Sequence, residues 1–102
     1  MVLLEFSITP LGQGESVSAY VARCVDLIDA SGLDYRLHSM GTIVEGELDQ
    51  VLGLLQRCVE ALAVDCHRIS VSAKLDYRAG QSGRLNAKVE RIEQALGRPL
   101  KK

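Results

Sequence analysis

The sequence predicts an α+β fold built on one antiparallel sheet, and two observations carry this prediction. Two segments of similar length share one helical pattern of apolar residues, and the segment Arg68–Arg78 alternates between apolar and polar residues throughout. The chain has 102 residues, which fits a single domain over residues 1–102. The predicted elements run strand, helix, strand, strand, helix, strand, and a third helix follows.

The first two helices are predicted at Glu15–Ala30 and Asp49–Val64. In each segment the apolar residues lie at i, i+4, i+7, i+8 and i+11, which places them on one side of a helix. They are Val17, Val21, Cys24, Val25 and Ile28 in the first, and Val51, Leu55, Cys58, Val59 and Leu62 in the second. Ser31-Gly32 ends the first helix, and Asp49 is the predicted N-cap of the second.

The four strands are predicted at Val2–Thr9, Asp34–Ser39, Thr42–Glu47 and Arg68–Arg78. The middle two form a hairpin around Met40-Gly41, because a glycine lies in the tight connection between two short strands. In the last strand the residues of one parity are all apolar, which predicts an antiparallel strand with one buried face. These residues are Ile69, Val71, Ala73, Leu75 and Tyr77.

A third helix is predicted from Ser82, its expected N-cap, to about Leu96. With it, the order of elements predicts a ferredoxin-like βαββαβ antiparallel sheet with an extra C-terminal helix. The first two helices cover one face of the sheet. The other face mixes apolar and polar residues, so the third helix or another subunit is expected to cover it.

Composition and charge exclude several classes of function. The net charge is −1 and no basic stripe is present, so we expect no nucleic-acid partner. The N-terminus lacks the features of a signal peptide and no segment is long enough to span a bilayer, which predicts a soluble, cytoplasmic protein without a membrane partner. Three cysteines without metal-ligand spacing predict reduced structural thiols and no metal site.

The residues that bear chemistry suggest binding rather than catalysis. No catalytic motif is present, so we expect that the protein is not an enzyme, and His38 is interpreted as a surface or interface histidine rather than a general base. The densest cluster is Ser39–Glu47, where Thr42 and Glu45 lie among glycines and suit a small ligand that bears an amino group or a positive charge. A plain hairpin with a surface glutamate remains the alternative. The charged residues Lys74, Asp76 and Arg78 are interpreted as a solvated or interface ion network.

A long ordered set of residues resembles the thiamine-binding protein family. The resemblance rests on the segment SAYVARCVDLIDASGLDYRLHSMGTIVEGELDQV, then on KLDYR and on KVERI. The family pattern reads Ser-x-Tyr-Val-Ala, Ser-Gly-Leu-x-Tyr-x-Leu, Pro-Met-Gly-Thr-x-x-Glu-Gly and Lys-x-Asp-x-Arg. This chain departs from the pattern at Ser39, where the family usually has proline.

The resemblance implies a ferredoxin-like fold, assembly into a dimer or tetramer, and binding of thiamine or its hydroxymethylpyrimidine portion without chemistry or a further cofactor. By position, the binding residues that it implies are Tyr35, Met40, Gly41, Thr42 and Glu45. Tyr35 is expected to stack on a flat ring. The alternative is a structural or regulatory homo-oligomer with no small-molecule ligand.

Overall fold

A computed structural model describes residues 1–14, 17–80 and 83–101. Its elements are β1 Val2–Leu11, α1 Ser18–Ala30, β2 Asp34–His38, β3 Gly41–Gly46, α2 Leu48–Ala63, β4 Arg68–Tyr77 and α3 Arg84–Leu96. Their order and the four-stranded antiparallel sheet confirm the ferredoxin-like fold with an extra C-terminal helix. Within the described ranges, no helix has the length and apolar character needed to cross a membrane.

The strands lie in the order β2-β3-β1-β4, and every neighbouring pair is antiparallel. The last pair between β1 and β3 is Phe6 with Thr42, whereas β1 continues beside β4 as far as Leu11, opposite Arg68. The C-terminal half of β1 therefore has a strand on one side only.

The core lies between the sheet and the pair of helices α1 and α2. Alternate residues of β1 face these helices, and the apolar sides of both helices face them in return. The buried residues are Val2, Leu4, Phe6, Ile8, Cys24, Ile28, Val44, Val51, Leu54, Cys58, Leu62 and Cys66. This arrangement confirms that the first two helices cover one face of the sheet.

Two cysteines meet at the contact between α1 and α2, at the apolar helix positions that the sequence predicts. The thiols of Cys24 and Cys58 each donate a hydrogen bond to the other residue's main-chain carbonyl oxygen at 3.9 Å. The neighbouring Cys24 thiol and burial together raise the pKa of Cys58, so that thiol stays protonated. All three cysteines are buried free thiols.

The helix ends agree with the sequence in part. Ser31 is the C-cap of α1 and Gly32 has a φ of +77°, as predicted. The prediction that Asp49 caps α2 is wrong: the N-cap is Glu47, whose backbone N–H donates to Gln50 Oε1 at 2.9 Å. Because Glu47 and Gln50 pair reciprocally, the helix begins at Leu48, earlier than predicted, and Asp49 lies in its first turn.

Two predicted helix starts lie outside the described residues. They are Glu15, the predicted start of the first helix, and Ser82, the predicted N-cap of the third, so the structure does not test that cap. The described part of α3 begins at Arg84, after Gly83 in the left-handed conformation, and ends before Gly97.

The prediction that β4 has a buried face is wrong for the single chain. The alternation is correct, since Leu75 lies opposite Leu4 and Val71 opposite Ile8 on the helix side of the sheet. However, β4 is the edge strand, and α1 and α2 lie mainly over the other strands. Val71, Leu75 and Tyr77 are consequently exposed by 37%, 39% and 65%.

The helix α3 lies on the opposite face of the sheet, over β2 and β3. Arg36 on β2 donates to Asn86 Oδ1 at 2.7 Å, and Leu85 and Val89 are half-buried beside Ile43. This helix therefore covers part of the face that the sequence leaves open, and the half of that face formed by β1 and β4 remains uncovered.

Candidate functional site

A pocket of about 200 Å³ opens between α1, the second half of β1 and the turn that joins β2 to β3. We call it the hairpin pocket. It exists because β3 begins at Gly41 while β1 runs on, so α1 spans a gap in the sheet. Its lining consists of Phe6, Ser7, Ile8, Thr9, Val17, Val21, Cys24, Val25, Ile28, Leu37, His38, Ser39, Met40, Gly41 and Thr42.

Three of the five predicted site residues line this pocket: Met40, Gly41 and Thr42. Met40 is 82% exposed at the turn, whereas Thr42 is only 5% exposed. The structure gives the Thr42 hydroxyl no hydrogen-bond partner among the described residues, so it is available to a ligand. Gly41 lies so close to β1 that an added Cβ would be 2.7 Å from the main-chain oxygen of Phe6.

The second half of β1 supplies backbone polar groups to the same pocket. From Ser7 to Leu11 this strand pairs with β4 only, so alternate residues direct their main-chain groups away from β4. Ser7 and Thr9 both line the pocket. A flat ligand placed here can therefore find N–H donors and carbonyl acceptors as well as apolar side chains.

His38 holds the turn that forms the rim of the pocket. Its Nδ1 accepts a hydrogen bond from the backbone N–H of Met40 at 3.2 Å, and its Nε2 lies 3.5 Å from Glu5 Oε2. Both ring nitrogens thus have neighbours that orient the imidazole. The histidine has a positioning role in this geometry.

The structure does not bring Tyr35 into this pocket. Its side chain lies on the helix side of the sheet, and its hydroxyl donates to Asp29 Oδ1 near the end of α1 at 2.9 Å. That hydrogen bond raises the pKa of Tyr35, because ionisation would place a negative charge beside the carboxylate.

Glu45 lies on the opposite face of the sheet from Thr42. Thr42 is opposite Phe6 and Glu45 is opposite Leu3, and residues of different parity in a strand point to different faces. The carboxylate is 5% exposed and accepts a hydrogen bond from the backbone N–H of Arg84 at 2.8 Å. Glu45 therefore holds the start of α3 against the sheet.

The charged residues on β4 do not form an ion network with one another. Asp76 accepts hydrogen bonds from the Arg84 guanidinium through its carboxylate and, at 3.2 Å, through its main-chain oxygen. Its partner is thus on α3 and is neither Lys74 nor Arg78. The described residues contain no group of three His, Cys, Asp or Glu side chains that could hold a metal ion.

The sequence reasoning missed the contributions of β1 and α1 to the pocket. Ser7 and Thr9 offer backbone groups, and Val21 and Cys24 form the apolar wall. The available signal was strand length. The predicted first strand has eight residues and the third strand, Thr42–Glu47, has six, so one end of the first strand lacks a partner.

Comparison with known proteins places this fold in a family. A family model described as "Thiamine-binding protein" matches residues 4–93. The chain belongs to the thiamine-binding protein family. A UPF0045 protein of Mycobacterium bovis is 38% identical over 99 residues, which cover 96% of this chain and 97% of that relative. A UPF0045 protein of Synechocystis is 33% identical and covers 93% of this chain and 79% of its own length.

Solved structures share the architecture of this family member. A hypothetical protein of Methanocaldococcus jannaschii superposes with a TM-score of 0.77 at 33% identity, over 94% of this chain and 95% of that one. A Thermotoga maritima protein assigned provisionally to thiamine biosynthesis or salvage gives a TM-score of 0.78 at 21% identity, over 89% and 97% of the two chains. This second likeness concerns the fold alone.

Proposed function

We propose that the chain binds the hydroxymethylpyrimidine portion of thiamine in the hairpin pocket and catalyses no reaction on it. The family assignment supports a small-molecule ligand. One observation carries the choice of site: the segment Met40-Gly41-Thr42, which resembles the family pattern, closes a pocket against the unpaired part of β1.

The size of the pocket favours the pyrimidine ring over the whole of thiamine. Sites for drug-sized ligands usually measure about 300–1,000 Å³. The hairpin pocket measures about 200 Å³, so it suits one ring, and the remainder of thiamine would lie at its mouth beside Met40.

The polar groups of the pocket match an aminopyrimidine. Such a ring presents an amino donor and ring-nitrogen acceptors along one edge, and the backbone of β1 offers both acceptors and donors. The Thr42 hydroxyl can donate or accept. These groups are fixed by the sheet, which lowers the entropy lost on binding.

The absence of charged carboxylates from the described lining of the pocket also favours the pyrimidine over the thiazolium. No Asp or Glu is among the described residues that line it, so a thiazolium cation would find no counter-charge inside. The neutral pyrimidine can enter without that cost. Glu45, which was expected to bind the amino group, is engaged by α3 on the other face.

The remaining features of this proposal follow from the same site. His38 is held by Met40 and Glu5, so we assign it no proton transfer and describe the protein as a binding protein rather than an enzyme. It needs no cofactor in this role. A cytoplasmic location fits a protein that binds a vitamin precursor after uptake or synthesis.

Calorimetry with hydroxymethylpyrimidine, thiamine, thiamine phosphates and the thiazole portion tests the proposal. We expect saturable binding of the pyrimidine and of thiamine, and none of the thiazole alone. Thr42→Val should weaken pyrimidine binding by about five- to tenfold, because one hydrogen bond is lost while the shape is kept.

Tyr35→Phe is the matched control, since it also removes one hydroxyl and that hydroxyl contacts Asp29 rather than the pocket. Its affinity for the pyrimidine should equal that of the unmodified protein. If Tyr35→Phe weakens binding and Thr42→Val does not, the ligand site is elsewhere and the proposal fails.

The second candidate function is a homo-oligomer that acts through assembly alone. The observation that favours it is β4, an edge strand of ten residues with exposed apolar side chains on the helix side of the sheet. A second copy that paired with this edge would cover them. This candidate is preferred if calorimetry finds no ligand while light scattering finds an oligomer.

A further inference from the structure

We propose that a crevice between the end of β4 and the first turns of α3 binds an anion that bears phosphoryl groups. The crevice measures about 340 Å³ and is lined in part by Arg78, Arg84, Lys88 and Arg91. It also contains Leu3, which lies on the α3 side of the sheet. The crevice is thus on the opposite face from the hairpin pocket and is independent of it.

The cations converge from two elements. Arg84, Lys88 and Arg91 have the spacing i, i+4, i+7, which places them along one side of α3. Arg78 follows the last residue of β4 and faces the same crevice. Four of the twelve Lys and Arg residues of the chain therefore line one small concave surface.

One carboxylate lines the crevice, and an arginine neutralises it. Asp76 accepts from the guanidinium of Arg84, whose side chain is only 10% exposed. Within residues 1–14, 17–80 and 83–101, Arg78, Lys88 and Arg91 form no hydrogen bond or ion pair. The crevice consequently carries three uncompensated positive charges on a chain whose net charge is −1.

The scaffold that holds these charges is fixed. The backbone N–H of Arg84 donates to the buried Glu45 carboxylate, and the Arg84 side chain is bound to Asp76 on β4. The first turn of α3 is thereby attached to two strands of the sheet. Lys88 and Arg91 extend from this attached helix, so their backbone positions are fixed relative to Arg84.

Phosphoryl groups fit this arrangement better than a carboxylate or a simple halide. Guanidinium groups bind tetrahedral oxyanions through paired N–H donors, and a lysine adds a point charge. A concave surface of one sign also concentrates the local field, which attracts an ion of high charge density. We assign the site to a diphosphate, either inorganic or attached to an organic group.

Titration of the ¹⁵N-labelled protein with inorganic pyrophosphate at constant ionic strength tests this proposal. We expect saturable shifts of the backbone amides around Arg84 and Lys88, with an affinity that weakens as salt increases. ADP in a parallel titration separates the two sources: a tighter fit for ADP indicates an organic diphosphate, and equal affinity indicates that the phosphoryl groups alone are recognised.

Arg78→Gln and Arg91→Gln should each weaken pyrophosphate binding by about fivefold or more, since each removes a charge-assisted contact. Arg68→Gln is the matched control, because it removes the same charge from the other end of the same strand. It should change the affinity less than twofold, within the spread expected for a distant surface charge.

Two results overturn the proposal. One is a response to pyrophosphate that does not saturate, or that sodium chloride reproduces at equal ionic strength. The other is an equal loss of affinity in Arg68→Gln and Arg91→Gln, which indicates general charge attraction rather than a site. Circular dichroism of each variant shows that a loss of binding does not come from unfolding.

Discussion

Glu45 shows how one buried side chain can be understood only from the register of the sheet. Its position beside Gly46 in the hairpin cluster predicts a ligand contact, but its parity places it under α3. A carboxylate at the start of a helix interacts favourably with the helix dipole, by up to about 2 kcal/mol in partly buried geometry. Its structural role is therefore sufficient to explain why an acidic residue is buried here.

We predict that Glu45→Gln lowers the melting temperature and leaves pyrimidine affinity within about twofold. The amide still accepts the Arg84 hydrogen bond but loses the charge, at a cost of about 0.5–2 kcal/mol. For a domain of this size each kcal/mol corresponds to about 4–8 °C. Thermal unfolding and calorimetry on the same variant measure both quantities, and Glu60→Gln on the exposed side of α2 is the control.

A loss of pyrimidine affinity without a loss of stability in Glu45→Gln would contradict this account. It would show that the carboxylate contacts the ligand directly, as the sequence alone suggests.

Gly41 is required by a close approach between the hairpin and β1. We predict that Gly41→Ala destabilises the protein by about 1–3 kcal/mol, because its Cβ would be 2.7 Å from a main-chain oxygen that cannot move aside easily. Pyrimidine binding should weaken as well, since the same backbone closes the pocket. Denaturant unfolding measures the first effect.

Gly53→Ala is the matched control for this substitution. Gly53 lies inside α2, where an added Cβ meets only Arg57 Nη1 at 3.6 Å. Alanine in a helix interior is favoured over glycine by about 0.5–1 kcal/mol, so this variant should be more stable than the unmodified protein. Equal effects of the two alanine substitutions would mean that the hairpin moves freely away from β1.

At the scale of elements, a bidentate ion pair connects α1 to the segment that follows α2. The Arg23 guanidinium donates to both carboxylate oxygens of Asp65, at 2.9 and 3.1 Å, and also to the main-chain oxygen of Ala61 at 3.0 Å. The same guanidinium lies 5.3 Å from the centre of the Tyr20 ring. The hydrogen bonds from Arg23 lower the pKa of Asp65.

This connection predicts a dependence of stability on pH. Because the pKa of Asp65 is lower in the folded state, its contribution is present above the unfolded pKa of about 4 and is lost as pH falls through the folded value. Asp65→Asn should therefore be less stable than the unmodified protein at pH 7, and the difference should shrink in strong acid. Melting temperatures across this range, with the exposed Asp26→Asn as control, test it; a difference that stays constant with pH would contradict it.

The elements were predictable from the sequence to the extent that local physics determines them. The period of the apolar residues predicted the helices and the last strand, and the Met40-Gly41 connection predicted the hairpin. Gly32 marked the end of α1 because glycine readily adopts the left-handed conformation that often ends a helix. The cap of α2 was mistaken because Asp49 satisfies the composition rule for an N-cap and Glu47 does not, whereas the reciprocal pairing of Glu47 with Gln50 decides where the helix begins.

The candidate site was less predictable because it depends on register and relative strand length. The Met40-Gly41-Thr42 segment was identified, but whether Glu45 shares a face with Thr42 follows from counting along a strand whose ends must first be known. The wall contributed by α1 depends on how the helix packs over the gap, which no local pattern encodes. The sequence identifies the residues of the hairpin, but the register of the strands determines which of them line the same pocket.

At the scale of the whole molecule, the uncovered residues of β4 are the feature that a single chain does not explain. Ten residues of edge strand carry a row of free backbone groups, and apolar side chains of this strand are exposed because α1 and α2 lie mainly over the other strands. Such an edge invites pairing with another strand, and proteins that remain monomeric usually protect it with charges or a bulge. On the helix side of this edge the side chains of Val71, Leu75 and Tyr77 provide no such protection.

We predict that the protein is an oligomer at micromolar concentration and that Leu75→Lys dissociates it. A lysine at this position would place two like charges at the interface and remove apolar contact. We expect the dissociation constant to rise by about 100-fold, which corresponds to about 3 kcal/mol. Leu52→Lys is the control, because Leu52 is 45% exposed on α2 and Leu75 is 39% exposed on β4, so the two substitutions change the surface of the single chain similarly. Light scattering gives the mass of each variant.

The melting temperature of the unmodified protein should increase with protein concentration, whereas that of Leu75→Lys should not, because only association couples stability to concentration. A monomeric unmodified protein, or dissociation by Leu52→Lys alone, would show that β4 is not the interface.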